Sequence, residues 1–371
     1  MIFLLLAIVL IAYILQRHSL QIPMEQIHYS LTPSKRSVEQ GEEFSLRTVI
    51  ENNSKYRIPF LLIEEQIPDA VELENRENLH LTVFSKANIH RSTIFMKKHQ
   101  RVIRTLHGRV FKRGMYHFRY ANLSVGDFLG IREKTKEVEQ DRSIVVFPGR
   151  LEDERLSKVL SDVMGEITVN SFIHEDPILV RGYRDYSGCE PLRRISFPIS
   201  AKRNQLTVKE FDHTREELVD LILDVSYKGE FDDYLNQLEA MFCIVRTICE
   251  NFEQKGVSYR LITNAYYAAM EIRGVNIIRS GGCGGNSFLK ILEVLGMASN
   301  AAMCKTEELL QTVFTSFSHE KEYIYVSQRR EADTTSMVNL LSHHYGVNVH
   351  QIYGEDYMES YLKTIKGKES R

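Results

Sequence analysis

The spacing of apolar residues changes character at Leu218, and that change divides the chain. Upstream, from about Gln26 to Pro148, short runs such as FSLRTVIEN, FLLIEEQI, RVIRTLHGRVF and MYHFRYANLSV alternate apolar with polar residues between turn residues. Period-two alternation with regularly spaced turns predicts an antiparallel β-sandwich. Within it, Pro59 is expected to break a strand, and Tyr116, Phe118 and Tyr120 are expected to share one core face. Downstream, LVDLILDV is almost wholly apolar, as a strand buried on both faces should be. Phe231, Leu235, Leu238, Phe242, Val245, Cys249 and Phe252 then recur in steps of four and three, which predicts an amphipathic helix. Strand-like VSYRLIT, EYIYVS and VNVHQIY alternate with helical segments expected at 287–299, 335–345 and 355–365. Such alternation predicts a doubly wound, mostly parallel sheet. A chain of 371 residues exceeds one core, so an α+β multidomain protein is expected. Its parts are a β-sandwich over 26–148, a connector over 149–217 and an α/β domain over 218–367.

The amino terminus adds a further expectation. Met1–Leu15 reads MIFLLLAIVLIAYIL and holds no charged side chain. Fifteen helical residues span about 22 Å, short of a hydrocarbon core of roughly 30 Å. Extension to Leu20, with Arg17 reaching back to the interface, closes the gap. No basic residue precedes the run and no small-x-small cleavage pattern follows it, which favours a retained anchor over 1–20 rather than a signal peptide. Arg17, Lys35 and Arg36 all follow the run, and the positive-inside rule then places the rest of the chain in the cytoplasm. The expected localisation is a single-pass cell-membrane protein with the membrane as one partner. Five cysteines form no C-x-x-C pair, which fits reduced thiols and gives them no zinc-ligand spacing. A net charge of -2 supplies no basic field, so nucleic acid is not an expected partner.

Chemistry in an open α/β sheet belongs at the carboxyl ends of its strands. Asp224-Val225-Ser226-Tyr227-Lys228 stands at such an end. It resembles the D-x-S-x-S loop of von Willebrand factor A domains, where an Asp and two Ser bind Mg2+ with a Thr and a second Asp from other loops. Here Lys228 replaces one hydroxyl and would repel a divalent cation. Ser327-Gln328 stand where the second acid belongs, and Asp333 lies farther on. Asp224 and Ser226 are therefore expected to be degenerate metal candidates, with no cofactor expected and Mg2+ the lesser alternative; the other role open to Asp224 is to cap its own turn. The glycines at 281–285 lack the P-loop spacing and its lysine, and Cys283 has no evident base. His343 and His344 sit about 100° apart on a helix and cannot share one ion. Glu64 and Glu65 form a carboxylate pair with no partner in view. No catalytic set emerges, so a non-enzymatic protein is expected.

Arg181–Phe211 carries seven Lys or Arg against three acids, with aromatic residues between them. Its Arg184, Tyr186, Leu192, Arg193, Arg194, Ile195, Ser200, Ala201 and Lys202, then Val208, Glu210 and Phe211, match the signature R-x-Y-x-P-G-D-x-L-R-R-I-x-W-K-x-S-A-R and its continuation. The chain thus resembles the domain-of-unknown-function family numbered fifty-eight. Arg113-Gly114-Met115-Tyr116, Gly126-Asp127-Phe128-Leu129-Gly130, IENN at Ile50 and IEEQIP at Ile63 extend the resemblance over nearly the whole chain. Phe197 and Pro198 replace the signature's Trp and Lys, and Cys189-Glu190 its Gly-Asp. The resemblance implies a von Willebrand A-like carboxyl-terminal domain. It also implies an adaptor or chaperone-like role beside a MoxR-type AAA+ ATPase. The alternative is an outward-facing adhesion or envelope protein on the same fold.

Overall fold

The computed structural model describes residues 23–369 apart from 75–78, 82–86, 127–132, 174–179, 188–191, 193–194, 212–218, 227–230, 268–274, 280–284, 316–320 and 347. Two compact units share these residues. One comprises the described residues up to Gly149, Leu292–Ala298 and Ile365 onward; the other comprises Arg150–Ile291 and Ser299–Thr364.

The first unit contains β1 (Ile27–Pro33), β2 (Ser37–Val38), β3 (Phe44–Asn52), β4 (Ile58–Pro68), β5 (Val71–Leu73), β6 (Leu79–Leu81), β7 (Ala87–Met96), β8 (Gln100–Val110), β9 (Gly114–Gly126) and β10 (Glu133–Val146). One sheet runs β1-β3-β8-β5 and the other β2-β10-β9-β4-β7-β6. All pairings are antiparallel except the short β2–β10 contact. Ile27, Leu46 and Ile50 of the first sheet join Leu61, Ile63, Leu123 and Ile144 of the second in one hydrophobic cluster. Burying each such side chain contributes about 1.5–3 kcal/mol. β3 shows how sequence writes this: FSLRTVIEN puts every odd position inward.

Two expectations are corrected here. Pro59 does not break its strand but lies within β4, where the register shifts between Ile58 and Leu61. A proline fits there because a bulge leaves its missing N–H without a ladder partner. Nor do the three aromatics share a core face: Phe118 is buried but Tyr120 is exposed. The buried positions of β9 change phase between Phe118 and Ala121, beside a bulge between Glu139 and Arg142 of β10. The Arg113-Gly114-Met115-Tyr116 element leads from a bend at Lys112 into β9. Gly114 has φ +153, and the Tyr116 hydroxyl donates back to the Lys112 carbonyl at 2.8 Å.

The second unit contains α1 (Glu154–Ile173), β11 (Val180–Asp185), α2 (Phe197–Arg203), β12 (Thr207–Phe211), β13 (Val219–Leu223), α3 (Phe231–Lys255), β14 (Tyr259–Thr263), β15 (Ala265–Tyr267), β16 (Asn276–Arg279), α4 (Gly285–Met297, whose end belongs to the first unit), β17 (Ala298–Ala302, whose first residue does too), α5 (Thr306–Thr315), β18 (Glu322–Ser327), α6 (Ala332–Tyr345), β19 (Val349–Tyr353) and α7 (Gly354–Glu369, assigned to the first unit from Ile365 on). Its main sheet has the order β16-β14-β13-β18-β19. β14, β13, β18 and β19 are parallel, and β16 is an antiparallel edge. Every residue of β13, β14 and β18 is buried, as expected for strands covered on both faces. Gly354, where α7 begins, lies so close to α3 that an added Cβ would meet the Gln237 carbonyl at 2.5 Å. The chain is thus a mixed α/β protein rich in sheet.

Among the described residues, no helix is long and apolar enough to cross a membrane. The anchor expected over 1–20 lies outside the described residues.

Candidate functional site at the strand ends

The sheet of the second unit reverses its winding at β13. The chain goes from β13 to β14 on one side, and β18 lies on the other. Loops diverge at such a point and leave a crevice beyond the carboxyl ends of the strands. Asp224 follows β13 there and is 1% exposed.

Its carboxylate is held by four donors. Oδ1 accepts from the Ser226 N–H at 3.0 Å and from Asn264 Nδ2 at 2.8 Å. Oδ2 accepts from the Thr306 hydroxyl at 2.7 Å and the Tyr325 hydroxyl at 2.7 Å. The Ser226 bond closes a turn, so Asp224 also caps the loop after its strand. Asn264 stands just past β14, and its Nδ2 also donates to Ser226 Oγ at 2.9 Å while its Oδ1 accepts from the Val225 N–H. Burial, and then the negative charge of Asp224, push the Tyr325 phenol far above its ordinary range. Tyr325 thus remains a donor at any physiological pH. A carboxylate offers about four acceptor positions, and these bonds fill them.

Above this cluster opens a cleft of about 640 Å3. Ser226 and Thr306 form part of its floor, Met303 and Met337 supply apolar surface, and Glu307, Glu308, Glu331 and Asp333 stand against Lys305. The lining is therefore net acidic. Cys304 also lines it. Burial, then the charges of Glu308 and Asp224, raise its thiol pKa, which makes it a poor nucleophile at neutral pH.

The structure thus brings Asp224 and Ser226 together, and adds Asn264, Thr306 and Tyr325, which sequence reasoning missed. Asn264 had a signal: a polar residue directly after a buried strand, at the same end of the sheet as Asp224. Ser327 and Gln328 are buried, and Gln328 donates to the Gln237 side chain at 2.9 Å. Lys228, Cys189, Cys283 and residues 281–284 lie outside the described residues.

The signature segment folds separately from this cluster. β11 and β12 pair antiparallel, placing Arg184 opposite Val208, with Glu210 and Phe211 toward the far end of the ladder. Ser200 is buried in α2; its hydroxyl donates to the Ser196 carbonyl at 2.8 Å and accepts from the Thr207 N–H at 2.9 Å. Ile195 is buried beside it, and Tyr186 donates its N–H to the Leu206 carbonyl. Ala201, Lys202 and Leu192 are exposed. Arg193 and Arg194 lie outside the described residues. Ser200 and Ile195 hold the α2 turn against β12, which explains why a small hydroxyl and an aliphatic residue stand there.

In the sandwich, Glu65 proves to have partners. It accepts from Tyr29 at 2.7 Å, Thr48 at 2.8 Å and Arg104 at 2.8 Å, and meets His90 at 3.1 Å. Glu64 pairs with Arg91 at 2.6 Å. Both are side-chain ties between strands.

No family model matches the chain. A curated relative, the uncharacterized protein YeaD of Bacillus subtilis (strain 168), is 23% identical over 217 residues, 58% of this chain. The match spans about half (52%) of that relative's length. Among solved structures, native alpha-2-macroglobulin from Escherichia coli (domain MG7 to the C-terminus) is 11% identical with a TM-score of 0.25, covering 33% of this chain and 23% of that one. A cohesin module of a Clostridium perfringens family 33 glycoside hydrolase is 10% identical with a TM-score of 0.24, covering 32% and 96%. Scores this low carry no argument about this chain.

Proposed function

We propose that this is a non-enzymatic, membrane-tethered interaction protein of the domain-of-unknown-function fifty-eight kind. In this reading its α/β unit is a von Willebrand A-like module that docks a protein partner at the strand ends. The observation that carries the reading is the filled carboxylate of Asp224, beneath an acidic cleft at the winding reversal. Three features support the A-like assignment: the strand order with its antiparallel edge β16, the Asp224-Val225-Ser226 turn, and the hydroxyl that Thr306 brings from a second loop. In a metal-binding relative of such a site, a cation would sit among these oxygens. Here protein donors take their lone pairs, so the loop is rigid without one and serves as a platform rather than a metal centre.

The rim then selects the partner. Glu307, Glu308, Glu331 and Asp333 around the methionines suit a segment carrying Lys or Arg beside an apolar anchor. A MoxR-type AAA+ ATPase is the partner the family resemblance offers. The Met1–Leu15 run would tether the protein, with its folded units on the cytoplasmic side. The test is binding of the detergent-solubilised full chain to a MoxR-type ATPase from the same organism, with and without ATP and Mg2+. Binding is expected, and Glu307→Lys with Glu308→Lys should weaken it by about tenfold or more, since like charges would then face each other. Reproducible absence of binding under all conditions would sink the proposal.

A further inference from the structure

A second cluster of chemistry-bearing side chains lies at the opposite end of the same sheet. Glu322 opens β18 and is buried. His350 stands on β19 opposite Ile324, two residues along from Glu322. Residues two apart on a strand share a face, so Glu322 and His350 leave the sheet on the same side. Glu166 reaches them from α1, with its Oε2 2.9 Å from His350 Nε2. One ligand atom from each of the three side chains lies within 4.8 Å of the others. All three line an open cleft of about 790 Å3, together with Asp162, one helical turn before Glu166.

We propose that Glu166, Glu322 and His350 form a binding site for a first-row divalent cation, with Zn2+ the ion the ligand set fits. Two carboxylates alone would suit Mg2+ or Ca2+, but an imidazole nitrogen shifts preference to Zn2+ and its neighbours. Three protein ligands facing a cleft leave a fourth position open, the arrangement of sites that bind an exchangeable ligand rather than purely structural ones. Ligand atoms around a tetrahedral Zn2+ lie about 3.4 Å apart, given bonds of roughly 2.0–2.1 Å. Reaching that spacing would open the Glu166–His350 contact of 2.9 Å slightly and draw in separations of up to 4.8 Å, and Glu166, with a side chain 40% exposed, can shift at the cleft surface. Three separate segments supply the ligands, so the ion would pin α1 to the edge of the sheet. No cysteine takes part.

The test is metal analysis of the full-length chain, stripped with chelator and dialysed against a limiting Zn2+ buffer, followed by Co2+ substitution. One equivalent of Zn2+ is expected, and the Co2+ form should show visible d–d bands. His350→Ala and Glu322→Gln should each weaken Zn2+ binding by more than about tenfold, the lower end of what even indirect ligand support contributes. Both should also change the Co2+ spectrum. Glu166→Gln alters a partly exposed position and keeps the test available should either of the other two variants misfold. Failure of the wild-type chain to retain Zn2+, or retention with unaltered affinity in His350→Ala and Glu166→Gln, would overturn the assignment.

Discussion

The hydroxyl of Thr306 donates to the buried carboxylate of Asp224 at 2.7 Å, joining two loops that are 82 residues apart in sequence. Asp224 ends a buried strand and Thr306 opens a helix, so this one bond ties the floor of the crevice to its wall. A hydrogen bond to a charged group contributes about 1.5–3 kcal/mol. Thr306→Ala should therefore destabilise the α/β unit by about that amount, while Thr306→Ser, which keeps the hydroxyl, should lose less than half as much. The urea midpoint of helix loss, followed by far-ultraviolet circular dichroism, decides the matter. Equal losses in the two variants would mean that methyl packing, not the bond, holds Thr306.

Asp220 and Arg260 make a buried ionic contact within this sheet. They face each other across β13 and β14, and Arg260 Nε donates to Asp220 Oδ1 at 2.7 Å. Both side chains are nearly sealed from solvent, and Lys321 adds a weaker contact at 3.7 Å. Removing one partner strands the other charge, at a cost of about 3–5 kcal/mol. Asp220→Leu alone should lower stability by that much in denaturant unfolding. Asp220→Leu combined with Arg260→Met should recover most of it, because the more deeply buried cation no longer stands without its partner. A double variant as unstable as the single one would show that the pair contributes more than charge balance.

Glu65 gives the sandwich a pH dependence with a definite sign. Burial pushes its pKa up, but the bonds from His90, Tyr29 and Thr48 and the charge of Arg104 outweigh burial and leave it below the ordinary 4.5. A carboxyl depressed in the folded state contributes stability that is fully present above its unfolded pKa. That stability is lost as pH falls through the folded value. The β-unit should thus lose stability below about pH 4.5, and Glu65→Gln should flatten that slope while lowering stability at neutral pH by about 3 kcal/mol. Thermal melts across the acid range provide the readout, and an unchanged slope in Glu65→Gln would assign the acid sensitivity elsewhere.

How much of this was legible depends on whether a signal is local. FSLRTVIEN reads as β3 because alternation is written in adjacent residues, and LVDLILDV reads as a buried strand for the same reason. Asp224 was legible as a strand-end acid. Its partners were not: Thr306 looks only like the start of an amphipathic TEELL turn, and Tyr325 like one more core aromatic of EYIYVS. Glu65 read as half of an unpartnered acidic pair because its four partners lie on four other strands, β1, β3, β7 and β8. Tyr120 misled because a phase change on β9 leaves no mark in local composition. The Glu166, Glu322 and His350 cluster was invisible for the same reason as Thr306, since only the folded sheet brings its three segments together.

Cys304 offers a chemical probe of the proposed docking face. It lines the acidic cleft, and burial with the charges of Glu308 and Asp224 keeps its thiol protonated. Only the thiolate reacts, so alkylation at neutral pH should be slower than for free cysteine and should accelerate with rising pH beyond the ordinary thiol range. Glu308→Gln removes one charge that disfavours the thiolate. It should raise the neutral-pH rate by about twofold, a modest gain because solvent and salt screen that position. Peptide mapping by mass spectrometry isolates Cys304 from the buried Cys243 and Cys249. Burial pushes the latter up to about 12, so Cys249 should remain unlabelled throughout. A partner seated in the cleft would protect Cys304 from the reagent. Undiminished labelling in a saturated complex would place the partner on another surface.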